Sequence, residues 1–219
     1  MLFENLREVL DPEPHAAALN MAIDEALLAQ ASEPLLRLYR WSLPSVSFGY
    51  FGKYEEVSAA WPARKLVRRW TGGGVVPHGD DVTYSLLVPA GHAVARQGPL
   101  ESYQAIHEAL AQWFATKGIG ASLTTGSPKV SEECFSNPAP HDVLASGQKI
   151  AGAAQRRTRS GLLHQGSIQH VPGVDQWRDT LSTAFSSQVE TRSISAEDIA
   201  TAELLVESKY GREDWLRRW

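Results

Sequence analysis

The chain has one cysteine in 219 residues, Cys134, and only two methionines. A single thiol excludes a disulfide within the chain and any zinc site built on paired thiolates. It also fits a reducing compartment. No run of about 18 apolar residues occurs, so no membrane span is expected. The opening MLFENLREVLDPEP turns acidic at once, unlike the basic-then-apolar order of a secretory leader. Positive charge is outnumbered: 21 Lys and Arg stand against 25 Asp and Glu, a formal net charge of −4. That balance argues against nucleic acid as a partner. No internal repeat, low-complexity tract or linker-like shift in composition is found. What remains is 43% hydrophobic and 21% charged. This reads as a soluble cytoplasmic protein, one domain over residues 1–219, large enough to bury a core without a metal or disulfide staple.

The periodicities predict α+β architecture with mixed, mainly antiparallel sheets and flanking helices. In residues 14–33, Ala18, Met21, Ala22, Ala26 and Leu27 recur at helical spacing, which leaves Asp24 and Glu25 off the apolar face. PLLRLYRW (34–41) alternates as a half-buried strand does, and VTYSLLVP (82–89) is a strand ended by Pro89. Residues 99–120 form a second helix, closed by Gly118. DVLA and KIAGAAQ flank Ser146-Gly147 as the arms of a hairpin, and GLLHQGSIQH follows as another strand. From about Asp175 the chain reads as mostly helical.

Three stretches carry candidate chemistry. In RRWTGGGVVPH, Gly72, Gly73 and Gly74 lie between Arg68, Arg69 and His78. Consecutive glycines cost chain entropy and add no packing. They suit either a plain hairpin turn or a loop whose N–H groups hold a phosphate or carbonyl oxygen. The stretch is neither a P-loop nor a dinucleotide fingerprint. In GQKIAGAAQRR, Lys149 stands among Ile150, Ala151, Gly152, Ala153 and Ala154. It is either a solvated edge lysine or a partly buried ammonium facing a carbonyl or anion, with Gly152 leaving room for a ligand beside it. Cys134, in SEECFSNPAP, is either a small buried hydrophobe or a loop nucleophile whose thiolate a nearby cation or histidine (His78, His141 or His164) would favour. Arg156, Arg157 and Arg159 form a basic run suited to an acidic partner, or an ordinary solvated turn.

Taken in order, NMAIDEALL, RLYRW, SFGYFG, RRWTGGGVVPH, TYSLLVP, GQKIAGAAQRR, LLHQGSI and SKYGREDW resemble the lipoate–protein ligase and octanoyltransferase family, relatives of the biotin protein ligases. The likeness runs from about residue 16 to 215 and is nearest to the cysteine-dependent octanoyltransferases of Gram-positive type, where a Cys-Phe pair precedes the lysine. Here Cys134-Phe135 precedes Lys149. The resemblance implies an acyl tunnel shaped by Gly72, Gly73, Gly74 and Val75, with Arg68, Arg69, Thr71, His78, Gly152 and Ala154 as further substrate-binding candidates. Cys134 and Lys149 would be catalytic, and no metal would be needed. The implied donor is octanoyl-acyl carrier protein. The implied acceptors are lipoyl-domain proteins such as the glycine cleavage H protein or the acyltransferase subunits of 2-oxoacid dehydrogenases. No cofactor is expected on this reading. The alternative is a lipoate–protein ligase using ATP and Mg through a lipoyl-adenylate, which the ligase-like Gly74 keeps in view.

Overall fold

The computed structural model describes residues 1–125 and 138–219. Its centre is an eight-stranded mixed sheet. The strands are β1 (Leu6–Leu10), β2 (Leu35–Tyr39), β6 (Val82–Pro89), β7 (Ala121–Leu123), β8 (Val143–Ala145), β9 (Gln148–Arg157), β10 (Gly161–Ile168) and β11 (Val189–Ser193), in the spatial order β11-β1-β2-β6-β10-β9-β8-β7. The pairings of β1 with β11 and β2 are parallel; the others are antiparallel. A second sheet holds β3 (Ser45–Phe48) between β4 (Lys65–Arg68) and β5 (Val75–His78).

Both faces of the large sheet are covered, so alternate residues of one strand enter different cores. On one face Leu36, Leu38, Tyr84 and Leu86 pack with Ile106, Leu110 and Phe114 of helix α4 (Pro99–Thr116) and with Leu181 of the 3-10 segment Val174–Ala184. On the other, Leu35, Tyr39, Leu87 and Leu163 meet α1 (Ala17–Gln30), Ala202 of α5 (Ala196–Leu205) and Tyr210. Two short helices, α2 (Tyr54–Ala60) and α3 (Ala93–Arg96), the π-helical turn Val206–Tyr210 and the C-terminal α6 (Glu213–Leu216) complete the described elements. No helix among the described residues is long and apolar enough to cross a membrane.

This double cover corrects three expectations. The strand β2 is buried on both sides, Arg37 included. Asp24 does not face water: it is fully buried, and its Oδ1 accepts a hydrogen bond from Arg37 Nη1 at 2.8 Å. Asp11 supplies the second carboxylate, 2.7 Å from the same guanidinium. The helical reading of the C-terminal part misses β11, which adds in parallel to the outer side of β1. The hairpin is found as expected, its turn made by Ser146 and Gly147 at φ 50° and 77°.

Candidate active site

The hairpin delivers Lys149. Its side chain is 1% exposed, and Nζ lies 2.8 Å from Asp142 Oδ2, itself 1% exposed. An edge lysine in water is therefore excluded. Burying a lone ammonium costs several kcal/mol, and the facing carboxylate offsets that cost only when its own lone pairs are satisfied. They are: Asp142 Oδ2 also accepts from Ala139 N at 2.7 Å, and Oδ1 accepts from the Tyr103 hydroxyl at 2.5 Å. Gly152 matters for a different reason than expected. A Cβ there would fall 2.3 Å from Lys149 Cε and 2.5 Å from Nζ. The missing side chain makes room for the lysine itself, which lies back along its own strand.

From Gly152 an elongated pocket runs across the sheet. Gly152, Ser167, Thr83 and Tyr39 stand in register on β9, β10, β6 and β2, and all four line it. Three strand spacings of about 4.8 Å give this row a span of about 14 Å. Met21, Trp41, Val76, Ala153 and Ala154 add an apolar lining around about 400 Å³ of empty space, the open mouth included.

The glycine loop packs beside the pocket: Arg69 and Ala154 line it, whereas Thr71, Gly72, Gly73 and Gly74 do not. Because β4 and β5 lie on opposite sides of β3, residues 69–74 cross the end of β3 and make no hairpin. Arg69 fixes the crossing: Nη2 donates to the carbonyls of Gly72 and Gly74 at 3.0 and 2.8 Å, and Nη1 donates to Ser47 Oγ at 2.7 Å. Gly73 sits at φ +83° against Ala154. Gly49 permits the approach, since a Cβ there would come within 2.0 Å of Gly73 O. Thr71 is fully buried and donates to Gln165 Oε1 at 2.8 Å.

His78 forms part of the pocket's polar end. Its Nε2 lies 2.7 Å from Ser47 Oγ and its Nδ1 2.8 Å from Asp81 Oδ2, and its ring stacks on Trp41 at 4.0 Å. Burial alone would raise the Asp81 carboxyl; His78, Ser167 and the Gly79 N–H outweigh it and hold the group down at about 2. The Ser-His-Asp order is that of a nucleophile triad, but Ser47 Oγ already accepts the Arg69 N–H. The chain of bonds braces the end wall of the pocket.

Several residues stand elsewhere than the sequence suggests. Arg68 does not line the pocket. Its guanidinium donates to the carbonyls of Tyr50, Gly52, Trp215 and Leu216 at 2.7, 2.7, 3.0 and 2.8 Å, clamping the C-terminal turn to the 50–52 loop. Val75 packs with Val46, Phe48 and Val57, while its neighbour Val76 faces the pocket, as strand alternation requires. The basic run is split: Arg157 donates to Ala95 O and Ser102 Oγ, both at 2.6 Å, whereas Arg156 lies over the Tyr50 and Trp70 rings. His141 and His164 do not line the pocket. Cys134 lies outside the described residues. Sequence reading misses Asp142 as a site residue, and with it Tyr103, Ser47, Asp81 and Gly49. Only the HGDD run (78–81) and SFGYFG (47–52) offered a signal, the first for Asp81 and the second for Ser47 and Gly49. Among the described residues no cluster of His, Cys, Asp or Glu is suited to a metal ion.

Comparison with known proteins places these features in context. Residues 16–203 match the family described as lipoyl protein ligase A/B catalytic domain. Octanoyltransferase LipM of Oceanobacillus iheyensis is 38% identical over 169 residues, covering 73% of this chain and 62% of that protein. The chain thus spans less than two thirds of that relative's length. Octanoyltransferase LipM of Brevibacillus brevis is 28% identical over 94% of this chain and 97% of its own. Among solved structures, lipoate-protein ligase A bound with ATP superposes with a TM-score of 0.78 at 21% identity, covering 98% of this chain and 99% of that one. At that identity the superposition shows the fold alone.

Proposed function

The chain belongs to the lipoyl protein ligase A/B catalytic domain family, and from that premise we propose that it moves an octanoyl group from acyl carrier protein to a lysine of a lipoyl-domain protein. The observation that carries the reading is the buried Lys149–Asp142 pair packed against Gly152, a residue that lines the apolar pocket, together with the LipM relatives. In the first half-reaction the Cys134 thiolate attacks the donor's thioester carbonyl. A C–S bond to Cys134 forms, the donor's own C–S bond breaks, the carrier leaves as its thiolate, and the octanoyl group remains on Cys134. In the second, the amine of the acceptor lysine attacks that new thioester, Cys134 leaves as thiolate, the amine gives up its proton, and an amide remains. Both steps pass through an oxyanion. The Lys149 ammonium, oriented by Asp142, is the charge that faces it. A cation beside a thiol also favours the thiolate.

Sequence spacing supports the role of Cys134, which lies eight residues before Asp142. The flanks of that segment support it too: Thr124 N donates to Asp142 O at 2.9 Å and His141 N to Thr124 O at 2.7 Å, so both lie beside the ion pair. The acyl chain would lie along the Gly152-to-Tyr39 row, each buried CH₂ contributing about 0.8 kcal/mol. The donor is already activated, so this route uses no cofactor. The ATP-bound ligase of the same fold keeps ATP-dependent lipoate ligation as the second reading.

The two are separated by turnover. Purified protein with octanoyl-acyl carrier protein and an apo lipoyl domain is expected to octanoylate the domain equally well with and without ATP and Mg. Product formed only from free acid with ATP would establish the ligase reading instead.

A further inference from the structure

We infer that Tyr103, on α4, is the positioning residue that holds Asp142, and through it Lys149, against the floor of the site. The inference rests on the acyl-transfer reading of that site. It starts from a break in the sheet. Strand β8 pairs with β9 only as far as Val143↔Ala151. The next step would place His141 opposite Ala153, but His141 has φ 69°, which turns its chain away. Ala153 is therefore left at an open stretch of β9, one residue beyond Gly152.

The Tyr103 hydroxyl fills that gap. It accepts a hydrogen bond from Ala153 N at 3.0 Å and donates its single proton to Asp142 Oδ1 at 2.5 Å. The carbonyl of Ala153, 3.3 Å away, is the weaker claimant for that proton. The carboxylate draws the proton because a bond to an ionised acceptor is shorter and stronger than one to a neutral carbonyl. One oxygen atom thus joins the backbone beneath Lys149 to the carboxylate that faces Lys149. The ring is steadied by contact with His107 at a centroid distance of 4.1 Å. The helix supplies the reach: α4 packs across the sheet through Ile106 and Leu110, which presents Tyr103 at the β8–β9 break.

Tyr103→Phe removes one atom and keeps the ring. It leaves the Ala153 N–H and Asp142 Oδ1 without this partner, and Asp142 is then free to rotate. The expected result is a fall in kcat of about tenfold with KM for the acyl donor within about twofold. A control for general destabilisation is Leu110→Ala on the same helix, a fully buried core residue; it should lower Tm more than Tyr103→Phe does and leave kcat near wild type. A second readout does not depend on turnover: the rate at which a small amine-acylating reagent labels Lys149, followed by peptide mass. Labelling should rise several-fold in Tyr103→Phe and stay unchanged in Leu110→Ala. The third arm is a double-mutant cycle, in which Tyr103→Phe should add little to Asp142→Asn. Wild-type kcat and wild-type labelling in a folded Tyr103→Phe protein would overturn the inference, as would full additivity with Asp142→Asn. A wild-type protein that transfers from neither donor would instead count against the acyl-transfer reading, while the labelling arm still decides the role of Tyr103.

Discussion

Gly152→Ala is expected to abolish acyl transfer while leaving the protein folded. The backbone at Gly152 is not in the left-handed region, so alanine meets no conformational strain. The new methyl group meets Lys149 Cε and Nζ at 2.3 and 2.5 Å, and these are the far end of a flexible side chain. The side chain yields, and the global cost is modest. Its new position cannot keep Nζ on Asp142 Oδ2, because Asp142 Oδ1 itself lies 3.1 Å from the added carbon. A displacement of about 1 Å at a reacting centre costs about 100-fold in rate, so kcat should fall by at least about that factor. Lys149→Arg should fail comparably, since a planar guanidinium does not fit the space of one ammonium pressed against Gly152. The measurement is kcat for both variants beside their Tm values. A Gly152→Ala protein with wild-type kcat would mean that the seating of Lys149 over Gly152 is irrelevant to the chemistry.

The second large effect concerns acid. His107 and His164 lie in the core between α4 and the sheet, both fully buried. His107 Nδ1 donates to His141 O at 2.7 Å, which leaves Nε2 as a buried acceptor with no side-chain or backbone partner among the described residues. Gln155 Nε2 donates to His164 Nδ1 at 3.1 Å, which places the His164 proton on Nε2, 3.3 Å from the Tyr84 oxygen. Burial, opposed in part by Asp142, pushes His107 down from 6.5 to about 4. Burial and the neighbouring His107 push His164 well below its usual value. A histidine lowered on folding binds its proton more readily in the unfolded chain. Its contribution is therefore complete above pH 6.5 and is lost as pH falls toward the folded value. For His107 the gap is about 2.5 pH units at about 1.36 kcal/mol each, a loss on the order of 3 kcal/mol by pH 4. Denaturant unfolding at intervals from pH 7 to 4.5 should show this decline, and His164→Gln, which cannot titrate, should make it shallower. Asp81 acts in another window, because its depressed carboxyl gives up stability only as pH falls below about 4 toward 2. A flat profile between pH 7 and 4.5 would contradict the neutral, buried placement of both histidines.

The sequence announces those parts of the fold whose pattern is local. Residues 17–30 and 99–116 carry helical periodicity, though the first helix is buried on more than the face its spacing marks, and the Ser146-Gly147 turn fixes its hairpin by backbone conformation alone. Long-range pairing is different. Nothing near Val189 shows that it lies beside Leu6, and nothing near Arg37 shows that two carboxylates, from Asp11 and Asp24, wait for it inside the core. The same limit governs the site. Lys149, the glycine loop and His78 are visible as unusual residue types in unusual places. Their settings are not: Asp142 reads as one more turn aspartate, Tyr103 as one more helix aromatic, and Arg68 and Arg69 as twins. Adjacent strand-end residues point to opposite sides, so one arginine braces the loop at the pocket and the other clamps the C-terminal turn. Arg156 and Arg157 divide for the same reason.

The most direct test of the account is intact-mass measurement after brief incubation with octanoyl-acyl carrier protein alone, with neither ATP nor acceptor present. The predicted result is a gain of one octanoyl group, mapped by peptide mass to Cys134, labile to hydroxylamine as a thioester is, and missing from Cys134→Ala. Cys134→Ser should gain little or none, since an alkoxide is far harder to generate than a thiolate. Wild-type protein that stays unmodified while octanoylating a lipoyl domain, or a Cys134→Ala protein that transfers at the wild-type rate, would contradict the thioester route.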